Sequence, residues 1–187
     1  MYSIIKRLID FTASLGVLIL LSPIMLITAL IIYLQDFHHP IFSHYRVGKD
    51  GKAFKFFKFR SMPVNTPNVE SHEKEKISIT PFGKIIRRTN IDELPQLISI
   101  LKGDMSLIGP RPPIPSQTDL VEMRRKNGAI QLKPGLTGWA QVNSYDNMPD
   151  DVKAAFDGYY RENISLLLDI KIVLKTLQYL TKKPPSY

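Results

Sequence analysis

Apolar residues are spaced along this chain in three different ways. From position 11 to 34 no charged residue occurs. As an α-helix that run extends about 36 Å, against a bilayer hydrocarbon core of about 30 Å. It is too long for the apolar part of a cleaved signal, and no small-x-small site follows it. Between 40 and 62, apolar and polar residues alternate on both sides of Lys49-Asp50-Gly51, which predicts a β-hairpin. Further on, Leu94, Leu97, Ile98 and Leu101 fall at helical spacing. Proline fits only the first turn of a helix, so Pro95 predicts a start near 91–93, and Gly103 predicts the end. Thr80 as N-cap and Pro81 at the first position open a short helix that closes on Arg87-Arg88-Thr89. Helices are also expected over 116–127, 149–163 and 165–180, the last strongly apolar and suited to the core or a membrane interface. Positions 64–78 read as a polar loop or short irregular helix with His72 solvated. Positions 133–142 read as a glycine-punctuated turn, in which Gly135 and Gly138 allow close backbone approach to a ligand.

The fold class that follows is α/β, of an irregular α+β kind. A membrane anchor occupies 1–38, and one domain over 39–187 holds the hairpin, several short and partly interfacial helices, and a C-terminal amphipathic helix. A Rossmann sheet is not expected, because no strand–GxGxxG–helix unit is present. Ser22-Pro23 interrupts the apolar run. Proline removes one helical hydrogen bond, so a kink is expected there, with the Ser22 hydroxyl helping to satisfy the freed backbone. A straight span puts Lys6 and Arg7 across the membrane from the basic main body, whereas a kinked, re-entrant hairpin keeps them on one face. The residues alone leave both open. Asp10 is expected either to pair with a basic residue of the main body or to be a solvated flank.

The net charge of +8 calls for an anionic partner: nucleic acid, phospholipid headgroups or phosphorylated substrates. With no cysteine, a disulfide scaffold and a thiolate metal site are both excluded. Candidate chemistry gathers in 90–112. Asp92 and Glu93 stand at the start of the predicted helix, where unpaired amides favour anions. They either cap it or do chemistry. Gly109-Pro110-Arg111-Pro112 fixes the backbone on both sides of an arginine, which suits bidentate phosphate binding. In Phe54-Lys55-Phe56-Phe57-Lys58-Phe59-Arg60, Lys55 is expected to guard a sheet edge. Arg88 is expected to face the acids, being four residues from Asp92. Asp157 is read as a substrate or metal contact, or as a structural hydrogen-bond acceptor. Trp139 suits either the headgroup level or a packed aromatic position, and Lys182 and Lys183 suit an anionic leaflet.

Asp92-Glu93-Leu94-Pro95-Gln96-Leu97, Leu101-Lys102-Gly103-Asp104-Met105-Ser106 and Ile108-Gly109-Pro110-Arg111-Pro112 closely resemble the monotopic phosphoglycosyl transferases of bacteria. The likeness continues in Lys133-Pro134-Gly135-Leu136-Thr137-Gly138, in Ala140-Gln141-Val142 and in Ser22-Pro23. It runs from about Lys6 to Lys175, and the chain resembles the minimal catalytic form. The resemblance favours the re-entrant anchor, with Lys6, Arg7, Ser22 and Pro23 as its determinants. It directs Lys58 and Arg60, within a Lys-Phe-Arg-Ser-Met segment, at phosphates, and it includes Gln141; Arg88, Arg111 and, in the first of its two readings, Asp157 complete the expected substrate contacts. It implies transfer of a sugar-1-phosphate from a UDP-sugar to polyprenyl (undecaprenyl) phosphate, with release of UMP, at the cytoplasmic face of the bacterial inner membrane, opening glycoconjugate synthesis. Asp92 becomes the nucleophile that forms an acyl phosphate, and Glu93 with Asp92 the ligands of Mg²⁺. Nucleic acid is not expected as a partner, membrane lipids are, and the oligomeric state stays open, a homodimer included. Asn143-Ser144-Tyr145 departs from the family's Asn-Gly-Arg, which removes a phosphate or sugar contact. Two other readings remain: a glycosyltransferase that moves only the sugar, and a membrane-tethered basic binding module without catalysis.

Overall fold

The computed structural model describes residues 2–64, 66, 79–145 and 147–180. The predicted loop with His72 and the terminal Lys182 and Lys183 lie outside the described residues. The architecture is mixed α/β, dominated by helix.

Helix α1 (Tyr2–Asp36) has 35 residues and is therefore about 52 Å long. Asp10, Ser14, Thr28 and Ile32 are buried along one stripe of it, a spacing of whole turns that faces the rest of the chain. Leu20 and Leu26, off that stripe, are 74% and 70% exposed. This helix is long and apolar enough to cross a membrane. It continues through Pro23 as one helix. The carbonyl that proline orphans is that of Ile19, four residues back. Ser22 Oγ donates to that oxygen at 2.8 Å, so the expected repair is present.

Both ends of α1 are fastened to one body. Near its start, Tyr2 OH and Lys6 Nζ donate to Asp169 Oδ2 at 2.5 and 2.7 Å, while Arg7 donates to the carbonyls of Ile100 and Leu101 at 2.6 and 2.8 Å. At its end, Asp36 pairs with Arg60 through both carboxylate oxygens. Asp10 follows neither expectation: it is buried, and its Oδ1 accepts the backbone N–H of Leu107 at 3.0 Å.

Strands β1 (Ile41–Val47) and β2 (Ala53–Phe59) form the predicted antiparallel hairpin, from Ile41 opposite Phe59 to Val47 opposite Ala53. Asp50 and Gly51 turn it with φ of 57° and 79°. Phe56 and Phe59 point into the core and Lys55 stays exposed. Helix α2 (Pro81–Arg88) opens as predicted, Thr80 Oγ1 accepting from the N–H of Gly83 at 2.9 Å. Helix α3 (Gln96–Lys102) ends on Gly103 at φ 94°.

The turn predicted over 133–142 contains a strand. Residues Ser106–Ile108 (β3) and Gly135–Thr137 (β4) pair in parallel, Ser106 opposite Gly135 and Ile108 opposite Thr137. Three-residue strands carry too little alternation to announce themselves. The glycines serve that pairing: a Cβ on Gly135 or Gly138 would stand 2.1 or 2.0 Å from backbone atoms of Gly109. The close approach expected for a ligand is made by the protein's own backbone. Helices α4 (Thr118–Lys126), α5 (Trp139–Val142), α6 (Asp150–Glu162) and α7 (Leu166–Leu180) complete the chain. Trp139 stacks on Tyr159, with centroids 5.7 Å apart, and lies under the ammonium groups of Lys171 and Lys175.

Candidate active site

Asn90 takes a left-handed φ of 55° after α2, and a single tight turn, Ile91–Glu93, follows before α3 begins. Both acids therefore stand in this turn, one step ahead of the helix. Asp92 is 6% exposed. The hairpin supplies Lys58, whose Nζ lies 2.6 Å from Glu93 Oε1 and 3.9 Å from Asp92 Oδ2. The proline-flanked loop supplies Arg111, whose Nη2 donates to the same Glu93 oxygen at 3.0 Å. Side-chain exposure climbs from 9% at Asp92 through 16% and 20% at Glu93 and Lys58 to 43% at Arg111. The acids thus lie beneath an arginine that fronts the solvent.

Burial and charge drive the two carboxyls apart. For Glu93, burial pushes up, but Arg111 and Lys58 outweigh it and hold the group at about 2. For Asp92, burial dominates and raises the carboxyl above its ordinary range, against the pull of Lys58, Arg87 and Arg111. Neighbouring acids in such different environments are suited to different roles. Glu93 is a fixed anion that orders the cations; Asp92 carries the less compensated charge, the property wanted in a nucleophile. No third histidine or acid joins them as a metal-binding group among the described residues.

The other expected contacts lie elsewhere. Arg60 leaves the strand beyond Phe59 and binds Asp36 at the end of α1. Arg88 is exposed, and Arg87 is the α2 arginine whose field reaches Asp92. The four-residue spacing failed because Asn90 breaks the helix between them. Gln141 Nε2 donates to Leu136 O at 3.1 Å, within its own turn. Asp157 is 1% exposed and pairs with Arg124 at 2.6 Å, so its surroundings are structural. Sequence reasoning missed Arg46. Its Nε donates to His44 Nε2 at 2.6 Å and its Nη1 to Pro112 O at 3.1 Å. Burial, and then the charge of Arg111, bring it down to about 10, so it stands close behind the site. Strand alternation gave no sign that this cation turned inward.

An exposed apolar helix, long enough to cross a membrane, is fused to a body in which a buried Asp92 and a half-buried Glu93 lie beside a lysine and an arginine, the features of a membrane protein whose site suits anions. The family model described as "Bacterial sugar transferase" matches residues 1–183, and the chain belongs to that family. It is 40% identical over 95% of its length to the UDP-N-acetylgalactosamine-undecaprenyl-phosphate N-acetylgalactosaminephosphotransferase of Aeromonas hydrophila. It is 37% identical over 93% of its length to the UDP-glucose:undecaprenyl-phosphate glucose-1-phosphate transferase of Escherichia coli. The chain spans 44% and 39% of those two proteins. With the exopolysaccharide production protein ExoY of Sinorhizobium fredii it shares 31% identity, covering 97% of this chain and 88% of that one.

Proposed function

We propose that this protein is a phosphoglycosyl transferase, moving a sugar-1-phosphate from a UDP-sugar to polyprenyl phosphate. The observation that carries the reading is the pair Asp92–Glu93, with Glu93 neutralised by Lys58 and Arg111 and Asp92 left buried beside them. The names of the relatives supply the chemical class of donor and acceptor.

In the first step an Asp92 carboxylate oxygen attacks the phosphorus that bears the sugar. The bond from that phosphorus to the bridging oxygen breaks, and UMP leaves with the electron pair. In the second step a phosphate oxygen of the polyprenyl acceptor attacks the same phosphorus, displacing Asp92 and yielding a polyprenyl diphosphate sugar. Arg111 and Lys58 face the charge that develops on the phosphoryl oxygens. Asp92 and Glu93 also fit Mg²⁺, which takes one or two carboxylates plus substrate phosphates, and the undercompensated charge at Asp92 is where a cation would be felt most. When bound, the ion would neutralise diphosphate oxygens.

The acceptor is lipidic and the placement monotopic, at the cytoplasmic face; what supports a one-sided placement is that both ends of α1 are bound by one body. The test is incubation with a panel of UDP-sugars labelled in the sugar. The wild type should release UMP and retain label on the protein, and Asp92→Asn should lose both. Release of UDP instead would mark a transfer of sugar alone, and a fully active Asp92→Asn variant would overturn the nucleophile.

A further inference from the structure

Residues 109–113, Gly-Pro-Arg-Pro-Pro, carry Arg111 across the front of the site. Proline has no N–H, so this stretch can be fixed mainly through its carbonyls. Each carbonyl from 110 to 113 accepts a hydrogen bond. Pro110 O accepts from the N–H of Gly135 at 2.9 Å, and Pro113 O from the N–H of Val47 at 3.0 Å. The two between them are held by guanidinium groups. Arg124 Nη1 donates to Arg111 O at 2.9 Å, and Arg46 Nη1 donates to Pro112 O at 3.1 Å.

Arg124 is 4% exposed. Its Nε and Nη2 both reach Asp157 Oδ2, at 2.8 and 2.6 Å, which leaves Nη1 for the loop. Burying two charges is costly, and an apolar pair often replaces one without loss of stability. The third contact is what a hydrophobic pair could not supply. A planar fork spans two acceptors at fixed angles, whereas a lysine ammonium is a single point.

We infer that Arg124, oriented by Asp157, is a positioning residue for Arg111. By fixing the backbone carbonyl of Arg111 it sets where that guanidinium meets Glu93 and, on the reading proposed above, the donor diphosphate. Asp157, expected either as a direct contact or as a structural acceptor, takes the second role and acts through Arg124 and Arg111.

The test is a double-mutant cycle of Arg124→Lys with Arg111→Ala. UMP release gives kcat and KM, calorimetry gives the affinity for inorganic pyrophosphate, and thermal unfolding is followed in parallel. Arg124→Lys should lower kcat about 10²-fold in the Arg111 background, the order of loss expected from a displaced catalytic group. In the Arg111→Ala background it should add nothing, because the group it positions is gone. Equal losses in both backgrounds, or a kcat unchanged by Arg124→Lys, overturn the inference. Asp157→Asn keeps the shape and an acceptor for Arg124; it serves in the same cycle if Arg124→Lys does not fold. If the wild type releases no UMP, the proposed function fails, and the pyrophosphate affinities decide the positioning alone. They should fall with Arg124→Lys only where Arg111 is present, and a fall in both backgrounds rejects it.

Discussion

Replacing Glu93 by Gln keeps the side chain's shape and removes its charge. The Glu93 carboxyl, ordinarily at 4.5, is held at about 2. At about 1.4 kcal/mol per pH unit, that difference is worth roughly 3 kcal/mol of folding stability. The side chain is 16% exposed, so solvent screening takes little of this away. A depressed carboxyl contributes above its unfolded value and loses its contribution as pH falls through the folded one. The stabilisation is therefore complete near neutrality and disappears between 4.5 and about 2. For a chain of this size, 1 kcal/mol moves Tm by about 2–4 °C, so Glu93→Gln should melt about 6–12 °C lower near neutral pH. Thermal unfolding in detergent with a chelator present measures this, and the gap should close as the pH approaches 2. The direction is the sharp part of the prediction. Substitutions at functional sites often stabilise, because such sites hold unfavourable charge. Here Glu93 separates Lys58 from Arg111, with the charges of Arg46 and Arg87 also in reach, so removing the anion leaves the cations facing one another. A variant as stable as the wild type near neutrality, or more stable, refutes the account of Glu93 as the site's internal counter-ion.

Three further outcomes follow from the geometry. Burial, then the charges of Arg46 and Lys58, hold the His44 imidazole at about 4 against an ordinary 6.5; the unfolded chain takes up more protons between those values, so stability should rise with pH across that window, and His44→Gln should flatten the slope in urea titrations. Gly138→Ala places a methyl group 2.0 Å from Gly109 O, which should cost ~1–3 kcal/mol in the same titrations and shift the loop that carries Arg111; an unperturbed, fully active variant would mean that this contact is not tight. The sequence contains no cysteine, and Ser3→Cys in α1 and Lys55→Cys in the hairpin are exposed positions; an impermeant thiol reagent applied to right-side-out and inverted vesicles should modify both from one side, and modification from opposite sides rejects the monotopic placement.

Features set by local chemistry were legible in the chain. The Lys49-Asp50-Gly51 turn, the Thr80 cap, the Gly103 stop and the Ser22 repair of the proline break all rest on residues within four positions of one another. Arg111 was legible from its flanking prolines, and Lys58 from the family resemblance, since its strand alone left other readings open; both lie beside Glu93. Sequence distance misled at Arg88, where a left-handed Asn90 intervenes; Arg60, directed at phosphates by the resemblance, binds Asp36, 24 residues away. Arg46 gave no signal, and Asp10 and Asp157, both singled out and Asp157 read in one alternative as a structural acceptor, gave no sign of their partners Leu107 and Arg124. Each is a charge buried against a segment remote in the chain, and no periodicity encodes which polar group crosses inward. The parallel pairing of β3 with β4 was hidden because each strand is three residues long and finds its partner in a remote segment.

The same tertiary contacts alter how the anchor relates to the rest of the protein. The boundary expected at 38 divides the anchor from the domain over 39–187, and apolar packing crosses it. Leu18 packs on the cluster of Phe56, Leu97, Ile100 and Met105, while Ile32 joins Phe59 and Ile86, with Met25 and Ala29 against them. Lys58 lies between Phe56 and Phe59 on β2, and the Asp92–Glu93 turn connects α2, which carries Ile86, to α3, which carries Leu97 and Ile100. The elements that hold the acids and their lysine are therefore packed directly on the apolar helix. A chain cut at the expected boundary would expose that face of the core to water, at roughly 1.5–3 kcal/mol for each large side chain uncovered. The position of Asp92 relative to α1 is consequently set by packing, and on the proposed reading, with α1 in the membrane, that packing holds the carboxylate at the level of an acceptor phosphate in the headgroup layer.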